Sequence, residues 1–467
     1  MRSSITVALA LAAASWAASG AAARRARLTV EPPVALIDAP VAIRVEGLHP
    51  REEVTIRAST EDAEGRPWRS EAAFRASPTG VVDAAGDRPL RGAWTGGDAM
   101  ALFWSMRPVF VPAGSASRSI AATPPKALPD LLVPPAGTPF PRPVSGALEV
   151  HLEARAGDTP LASAVAVRQV TGPRVEVGEV RAQGLVGRMH EPEGVRRPAV
   201  LVLGGGGGIP ATYAPVLAGH GYVTLALAYF GAEGLPGDLV EVPLEYFKRG
   251  IDWLRTRPSV DPGRIAVLGH SRGAEAALLL AATYPEVQAV VALAPSHVVW
   301  EGVAHDPRRT GLAALKPDRS AWTFGGRPLP FVPRTVAPDV ARRVEAGERF
   351  HAVELMRLSS VDLMAVERAR IPVERIRGPV LLVSSLSDGM WPSAAMADRV
   401  TEALHAARFP HRVEHRQYDA LAHAVPDAWL PVMHGGTLGG TAEGTMRAFA
   451  SYWPAVVSFL DTSLRRP

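Results

Sequence analysis

RIAVLGHSRGAE, residues 264–275, joins an apolar run to a run rich in alanine and leucine through a serine placed between two glycines. Residues 265–268 are typical of a short buried parallel strand, and residues 274–284 are typical of a helix. A G-x-S-x-G sequence at such a junction forces the serine backbone into a tight turn that lifts its hydroxyl above the strand ends. We therefore predict that Ser271 is a nucleophile at the start of a helix, where negative charge is favoured.

The alternative interpretation of this motif is an ordinary turn, because a chain with 43 glycines contains such spacings by chance. The strand before the motif and the helix after it favour the catalytic interpretation. A serine hydroxyl nevertheless needs a base to take its proton and a third group to orient that base. The hypothesis therefore depends on partners elsewhere in the chain.

Composition limits the chemistry that the chain can use. Its 467 residues exceed what one ordinary core holds, so we expect two domains. The absence of cysteine excludes disulfides, thiolate metal sites and a cysteine nucleophile. The net charge of +4 is carried by scattered arginines, so nucleic acid is not an expected partner. We expect neither a metal nor a cofactor.

The first 23 residues have the layout of a secretory signal peptide. Arg2 precedes a mostly apolar run over residues 5–18, and small residues follow at 19–23. The apolar run is shorter than the roughly 20 residues that a membrane span needs. Residues 1–23 therefore predict export, to the periplasm or by secretion, with an uncleaved membrane anchor as the alternative.

The chain after this segment divides into two patterns, which predict domains at residues 24–170 and 171–467. Short alternating runs in the first part predict an all-β, immunoglobulin-like sandwich. In the second part apolar strands alternate with helix-like runs, which predicts a doubly wound, mostly parallel sheet of the α/β class. About eighty residues separate two of these strands, so we expect an insertion at about 298–370 that acts as a lid. The predicted strands of the second part are residues 199–203, 223–228, 265–268, 289–293 and 380–383, and the predicted helices are 244–255, 274–284 and 393–405.

In enzymes with this serine turn, the acid and then the base follow the nucleophile along the chain. The acid is expected just after the strand that follows the insertion, which selects Asp388. An Asp-Gly turn residue is the alternative role of Asp388, and Asp419 is the rival acid. The base is expected in the loop after the next strand, which selects His423, with His434 as the fallback.

An oxyanion hole needs two N–H groups that point at one oxygen. We expect one from Arg272, directly after the nucleophile, and the other from the five glycines at 204–208, with Gly206 and Gly207 as the candidates. A phosphate-binding loop is the alternative interpretation of these glycines, but no Lys-Ser/Thr pair follows them.

The sequence gives weaker evidence of a role for four further residues in the second predicted domain. His270 is expected to pack or hydrogen-bond beneath the turn rather than to act as a base. Glu275 lies in the first turn of the predicted helix, where a negative charge is stabilised. His297 and Trp300 follow a strand end, where they either line the pocket or serve a purely structural role.

Longer segments of both predicted domains carry a family resemblance. They are LTVEPPVALIDAPVAIRVEGLHPREEVTIRAS at 28–59, GGGGG at 204–208, ALAYFGAEGLP at 226–236, LEYFKRGIDWL at 244–254, GHSRGAE at 269–275, IPVERIRGPVLLVSSLSDGMWPS at 371–393 and GGTAEGTMRAFASYW at 439–453. Together they resemble the acyl-CoA thioesterase and bile acid-CoA:amino acid N-acyltransferase family over nearly all of the mature chain.

The resemblance implies an α/β-hydrolase fold behind an N-terminal β-sandwich, and a serine hydrolase that cleaves acyl thioesters through an acyl-enzyme. The family's nucleophile, acid and base would fall on Ser271, Asp388 and His423. Members that transfer acyl groups to amino acids use cysteine as the nucleophile, so the serine implies hydrolysis. Ala422 stands where the family usually has glycine, and predicted export would separate the chain from the cytoplasmic acyl-CoA pool.

Three other functions stay open. The first is an exported carboxylesterase or lactone hydrolase on the same scaffold, and the second is an amino acid N-acyltransferase. The third is a non-catalytic protein that binds an envelope component, although the complete set of Ser271, Asp388 and His423 argues against it. The expected partner of the enzyme is a small acyl thioester or ester, and the sequence does not predict an oligomeric state.

Overall fold

The computed structural model describes residues 26–109, 132–136, 139–141, 143, 146–206, 213–304, 317–424, 426 and 428–464. The predicted signal peptide at 1–23 lies outside the described residues, as do Gly207 and residues 305–316 of the predicted insertion. Export, the anchor alternative and the domain boundaries therefore stay predictions.

Strands and helices follow one another along the described residues in this order. The strands are β1 Arg27–Glu31, β2 Val34–Leu36, β3 Ala42–Glu46, β4 Glu53–Glu61, β5 Pro67–Arg75, β6 Val82–Asp83, β7 Arg107–Pro108, β8 Ala147–Ala156, β9 Thr159–Gln169, β10 Val175–Ala182, β11 Leu185–Pro192, β12 Arg197–Leu203, β13 Val223–Ala228, β14 Val242–Pro243, β15 Val260–His270, β16 Ala289–Leu293, β17 Trp322–Phe324, β18 Arg327–Pro328, β19 Val380–Ser385 and β20 Val413–Tyr418. The helices are α1 Ala101–Trp104, α2 Tyr213–Gly219, α3 Leu244–Arg255, α4 Arg272–Thr283, α5 Pro338–Glu345, α6 Ala352–Ser359, α7 Leu363–Arg368, α8 Ser393–Ala406 and α9 Ala442–Leu464.

In the described residues, the N-terminal part contains two β-sheets, as predicted. One sheet has the order β2-β9-β8-β4-β5-β7 and the other the order β1-β3-β6. Alternate residues of β4 are buried, which is the pattern of a strand with one face on a core and one face in water. Ile43, Val54 and Ile56 belong to the core that the two sheets share.

The C-terminal part is built on an eight-stranded sheet with the order β10-β11-β13-β12-β15-β16-β19-β20. The pairs β10–β11 and β11–β13 are antiparallel, and the remaining pairs are parallel. Helices connect the parallel strands, because each connection must bring the chain back to the end of the sheet at which the previous strand began. The predicted α/β class and the mostly parallel sheet are confirmed.

Successive residues of the central strands belong to two cores, one on each face of this sheet. On β12, Val200 and Val202 pack in the core that also contains the N-terminal sheets, α2 and α9. Leu201 and Leu203 face the opposite core, which contains α3, α4 and α8. Both faces are therefore apolar, which is why these strands are continuous hydrophobic runs in the sequence.

Asp38 links the N-terminal sheets to the C-terminal helix. Its carboxylate accepts a hydrogen bond from Nε1 of Trp453 at 2.7 Å and lies 2.6 Å from Nε2 of His220. Its main-chain oxygen accepts from Nε1 of Trp429 at 2.8 Å. The Asp38 side chain is only 4% exposed, so these bonds are shielded from water.

In the part of the chain that the structure describes, no helix is long and apolar enough to cross a membrane.

Candidate active site

Ser271 lies in the sharp turn between β15 and α4, with φ 57° and ψ −120°. This conformation is rare for a residue with a side chain, and such strain is found at functional positions. The two flanking glycines make the turn possible. A Cβ on Gly269 would lie 2.0 Å from the Gly273 oxygen, and one on Gly273 would lie 2.4 Å from the oxygens of Leu203 and Gly204.

Ser271, His423 and Asp388 form one chain of hydrogen bonds. Oγ of Ser271 lies 2.8 Å from Nε2 of His423, and Nδ1 of His423 lies 2.9 Å from each carboxylate oxygen of Asp388. A carboxylate only accepts, so Nδ1 carries the proton and Nε2 is free to accept from the serine. All three residues are at least nine-tenths buried.

The orientation of Asp388 is set by the turn that follows it. One of its oxygens accepts hydrogen bonds from the main-chain N–H of Met390, at 2.9 Å, and of Trp391, at 3.2 Å. The indole ring of Trp391 also lies edge-on to the His423 ring, with 5.6 Å between the centroids. The carboxylate and the imidazole are therefore held relative to each other from two sides.

The rival acid and the fallback base lie elsewhere. The Asp419 residue is exposed, and its main-chain oxygen accepts from Oγ of Ser387. The main chain of His434 pairs with that of Ala136, and desolvation lowers the pKa of the His434 ring. Among the described residues, neither side chain is hydrogen-bonded to Ser271, His423 or Asp388.

The glycine loop after β12 lies directly beside the serine turn. A Cβ on Gly205 would come within 3.0 Å of the Ser271 Cβ, and one on Gly206 would lie 3.8 Å from Cγ of Arg272. Arg272 is the first residue of α4, where main-chain N–H groups have no acceptor within the helix. Both predicted sources of oxyanion donors thus border Ser271, while Gly207 lies outside the described residues.

The loop is fixed from below by Tyr229. The Tyr229 hydroxyl donates to the Gly204 oxygen at 2.5 Å, and burial raises the pKa of this phenol. The hydroxyl therefore keeps its proton at neutral pH and can donate to that oxygen. The first part of the glycine loop is consequently held at a set distance from the sheet.

A buried ion pair lies behind the serine turn, and the sequence did not reveal it. Nη1 of Arg272 lies 2.6 Å from a carboxylate oxygen of Glu275, one turn further along α4. The other oxygen of Glu275 accepts from Nε1 of Trp322 and from the main-chain N–H of Trp300. Burial raises the pKa of Glu275, and the charge of Arg272 opposes that rise.

The same network reaches the inserted segment through Glu301. Nη2 of Arg272 donates to the Glu301 main-chain oxygen at 2.5 Å, and the Glu301 carboxylate accepts from the main-chain N–H of Arg334 and of Asp318. Burial lowers the pKa of Arg334 to about 10. The residue after Ser271 is thus tied to the insertion. The Arg-x-x-Glu spacing of the pair was visible in the sequence, but its partners from the insertion were not.

His297 and Trp300 occupy different surroundings. Trp300 is fully buried, and its Nε1 donates to Oγ of Ser296 at 2.9 Å. His297 is partly buried, which lowers the pKa of its ring to about 4. Trp300 is thus a core residue, and neither residue is in the hydrogen-bond chain of Ser271.

No group of three or more potential metal ligands occurs among the described residues.

The arrangement can support nucleophilic acyl transfer. A neutral imidazole bonded to a serine hydroxyl is placed to take its proton when that hydroxyl attacks a carbonyl. The buried carboxylate stabilises the imidazolium that forms. N–H groups at the start of a helix and in a glycine loop are the kinds of donors that can stabilise the negative oxygen of such a reaction.

Two family models match the chain. The acyl-CoA thioester hydrolase/BAAT N-terminal region matches residues 38–182, and the BAAT/acyl-CoA thioester hydrolase C-terminal model matches residues 242–465.

Curated relatives include acyl-coenzyme A thioesterases and an amino acid N-acyltransferase. The chain is similar to acyl-coenzyme A thioesterase 1 of Mus musculus, with 27% identity over 91% of this chain and 94% of that protein. It is also similar to mitochondrial acyl-coenzyme A thioesterase 2 of the same species, with 27% identity over 94% of this chain and 90% of that protein. The bile acid-CoA:amino acid N-acyltransferase of Mus musculus is 32% identical over 60% of this chain and 66% of that protein.

Solved structures match over about two thirds of the chain at low identity. A dienelactone hydrolase-like promiscuous phosphotriesterase from metagenomic libraries is 15% identical, with a TM-score of 0.36, and covers 62% of this chain and 99% of its own. The acylaminoacyl peptidase of Pyrococcus horikoshii is 14% identical, with a TM-score of 0.40, and covers 68% of this chain and 48% of its own.

Proposed function

The chain belongs to the acyl-CoA thioester hydrolase/BAAT family of α/β-hydrolase enzymes, and from that membership we propose that it hydrolyses acyl thioesters with Ser271 as the nucleophile. The observation that carries the proposal is the 2.8 Å contact between Oγ of Ser271 and Nε2 of His423, continued from Nδ1 to Asp388. It supplies the nucleophile, the base and the orienting acid in one buried chain.

In the proposed first step Oγ of Ser271 attacks the thioester carbonyl while Nε2 of His423 takes the hydroxyl proton. The tetrahedral oxyanion accepts hydrogen bonds from the main-chain N–H groups of Arg272 and Gly206. When the intermediate collapses, the C–S bond breaks and His423 returns its proton to the departing thiolate. The products are a free thiol and an acyl ester on Ser271.

In the second step water replaces the thiol. His423 takes a proton from the water as it attacks the acyl ester, and then returns a proton to Oγ of Ser271. Asp388 stays ionised and stabilises the imidazolium in both steps. A carboxylic acid leaves, and the serine is restored.

Hydrolysis is favoured over amide formation by the identity of the nucleophile. One relative carries the name of an amino acid N-acyltransferase. Within the family, transfer to amino acids goes with a cysteine nucleophile, whereas this chain has Ser271 and no cysteine at all. We therefore expect the free acid to remain the product when glycine or taurine is added to the reaction.

The decisive experiment compares acyl-CoA thioesters of several chain lengths with matched simple esters, using the purified mature chain and its Ser271→Ala variant. We expect thiol release from acyl-CoA that the variant lacks, together with labelling of Ser271 by a fluorophosphonate probe. Thiol release that is the same in Ser271→Ala would overturn the proposal. Amide product in the presence of glycine or taurine would point to transfer.

A second candidate function is ester or lactone hydrolysis by an exported form of the chain. The apolar run at residues 5–18, followed by small residues at 19–23, favours it, because export removes a protein from cytoplasmic acyl-CoA. The same assay separates the two candidates. Ester turnover that equals or exceeds thioester turnover, and is also lost in Ser271→Ala, would favour this second function.

A further inference from the structure

His270 lies at the end of β15, directly before Ser271, and the proposed mechanism gives it no part. Its ring centroid is 5.2 Å from that of His423, with the two ring planes tilted by 49°. The two residues are 153 positions apart in the chain. The contact therefore joins the serine turn to the loop that carries the proposed base.

The hydrogen bond between these residues has only one possible direction. Nε2 of His270 lies 2.7 Å from the main-chain oxygen of His423, and a carbonyl oxygen can only accept. His270 must therefore carry a proton on Nε2. Burial lowers the pKa of this ring to about 4, so at neutral pH the ring is uncharged, with its proton on Nε2 and none on Nδ1.

The opposite edge of the same ring faces the glycine loop. A Cβ on Gly205 would lie 3.5 Å from Nδ1 of His270, which is ordinary contact distance. His270 thus contacts the loop of His423, and the loop after β12 lies beside its ring. The ring is therefore next to the segments that carry the proposed nucleophile, base and oxyanion donors.

The main chain of His423 is held at both of its peptide groups. Its N–H donates to the Leu438 oxygen at 2.6 Å, and its C=O accepts from His270. The described residues 419–424 have no regular secondary structure, so these two bonds replace a sheet or helix ladder at His423. Loss of the second bond would let the peptide plane rotate, and the imidazole would move with it.

We propose that His270 is a positioning residue for the base: its Nε2–H bond to the His423 carbonyl keeps Nε2 of His423 directed at Ser271. The inference rests on the proposed function of Ser271 and His423. His270 does not touch substrate or exchange a proton in the reaction. Its contribution is to keep the Ser271–His423 contact short while the imidazole gains and loses its proton.

Three substitutions test this assignment. In His270→Gln the side-chain amide nitrogen occupies the place of Nε2 and can donate to the same carbonyl. In His270→Asn the amide nitrogen occupies the place of Nδ1, and the side chain is too short to reach the His423 carbonyl. In His270→Phe the ring shape remains, but the ring has no donor. His415→Phe is the matched control. Among the described residues, this partly buried histidine lies 2.7 Å from Oγ of Ser384 and 3.4 Å from a carboxylate oxygen of Asp398, and it does not contact Ser271 or His423.

The variants are compared by kcat, KM, the rate of phosphonylation of Ser271 by a fluorophosphonate, and Tm. For His270→Asn and His270→Phe we expect kcat and the phosphonylation rate to fall roughly ten- to hundredfold, with KM within about twofold. For His270→Gln we expect both rates within about threefold of the wild type, and the His415→Phe control should keep the wild-type rates.

Equal losses in His270→Gln and His270→Asn, or losses that follow Tm alone across all four variants, would overturn the inference. Full activity in folded His270→Phe would also overturn it. These outcomes are distinct from failure of the proposed function, in which Ser271→Ala keeps the activity. The phosphonylation rate reads the serine itself and does not depend on which acyl substrate the enzyme prefers.

Discussion

The guanidinium of Arg272 and the carboxylate of Glu275 form an ion pair that is closed off from water directly behind Ser271. Their side chains are 5% and 0% exposed. The main-chain N–H of Arg272 is a proposed oxyanion donor, whereas its guanidinium is bound to Glu275 and to the main-chain oxygen of Glu301. The residue therefore has two separate roles, one through its backbone and one through its side chain.

The first prediction concerns the stability that this pair provides. Glu275→Ala leaves a buried guanidinium without its counter-charge and two N–H donors without an acceptor. We expect it to lower the free energy of unfolding by about 3–5 kcal/mol. Glu275→Gln keeps an acceptor oxygen, so its loss should be smaller. Urea unfolding at neutral pH measures both.

The matched control for this prediction is an exposed pair of the same type. Arg399 and Glu402 are 2.9 Å apart with side chains 68% and 62% exposed. Glu402→Ala should change the free energy of unfolding by less than about 1 kcal/mol. If Glu275→Ala and Glu402→Ala lower the free energy of unfolding equally, the buried pair contributes no more to stability than the exposed pair.

The second prediction concerns the glycine before the nucleophile. In Gly269→Ala the new methyl group would lie 2.0 Å from the Gly273 oxygen, so the turn cannot form without moving α4. We expect a loss of about 3 kcal/mol or more in unfolding free energy, together with loss of serine labelling. The control is Gly178→Ala on β10, where the methyl group meets no atom within 4 Å. A Gly269→Ala protein with normal labelling would contradict the geometry.

The third prediction concerns the contact between the two parts of the chain. Asp38→Ala removes the acceptor for Nε1 of the buried Trp453 and one contact of His220, while the bond from Trp429 to the main chain remains. Each buried donor left without an acceptor costs about 1–3 kcal/mol. Urea unfolding followed by tryptophan fluorescence should report a lower midpoint. An unchanged midpoint would mean that the Asp38 carboxylate does not stabilise the interface.

The fourth prediction is a pH dependence of stability that arises from His297. Burial lowers the pKa of His297 to about 4 from a usual value of 6.5, so between these values the unfolded chain binds a proton that the native protein does not. Stability from this ring is complete above pH 6.5 and is lost as the pH falls towards 4. Burial also lowers the pKa of His270 to about 4, so this ring contributes to stability over the same pH range. Because His270 is present in both the wild type and the variant, its contribution cancels in the comparison.

His297→Leu tests this assignment. The wild-type protein should lose on the order of 2 kcal/mol more stability than the variant between neutral pH and a pH of about 4.5. Urea titrations of both proteins at the two pH values measure the difference. Parallel losses in the two proteins would show that His297 is accessible to protons in the native state.

The sheet of the C-terminal part could be predicted closely because its strands are buried on both faces. Residues 223–228 and 289–293 are continuous apolar runs in the sequence, and the structure has β13 and β16 at those residues. β15 extends back to Val260, before the predicted start at residue 265. Pro262 and Gly263 hid that extension, since both residues usually interrupt strands.

The candidate site was predictable where residues follow strand ends, and not where they meet across the chain. Asp388 and His423 were selected by their order after β19 and β20, and the structure brings both to Ser271. Glu275 was interpreted from its place in the first helical turn alone. Its partners from the insertion lie 25 residues or more away, and no local pattern encodes their approach.

The core shared by the N-terminal sheets and α9 has a consequence for the order of synthesis. Residues such as Met100 and Trp104 pack in the same core as Phe449 and Trp453, which the ribosome makes more than 300 residues later. During translation the early sheets therefore leave the ribosome without the helix that completes their packing. A nascent chain must keep that apolar surface from aggregating, and the last helix to be synthesised closes the first layers that were made.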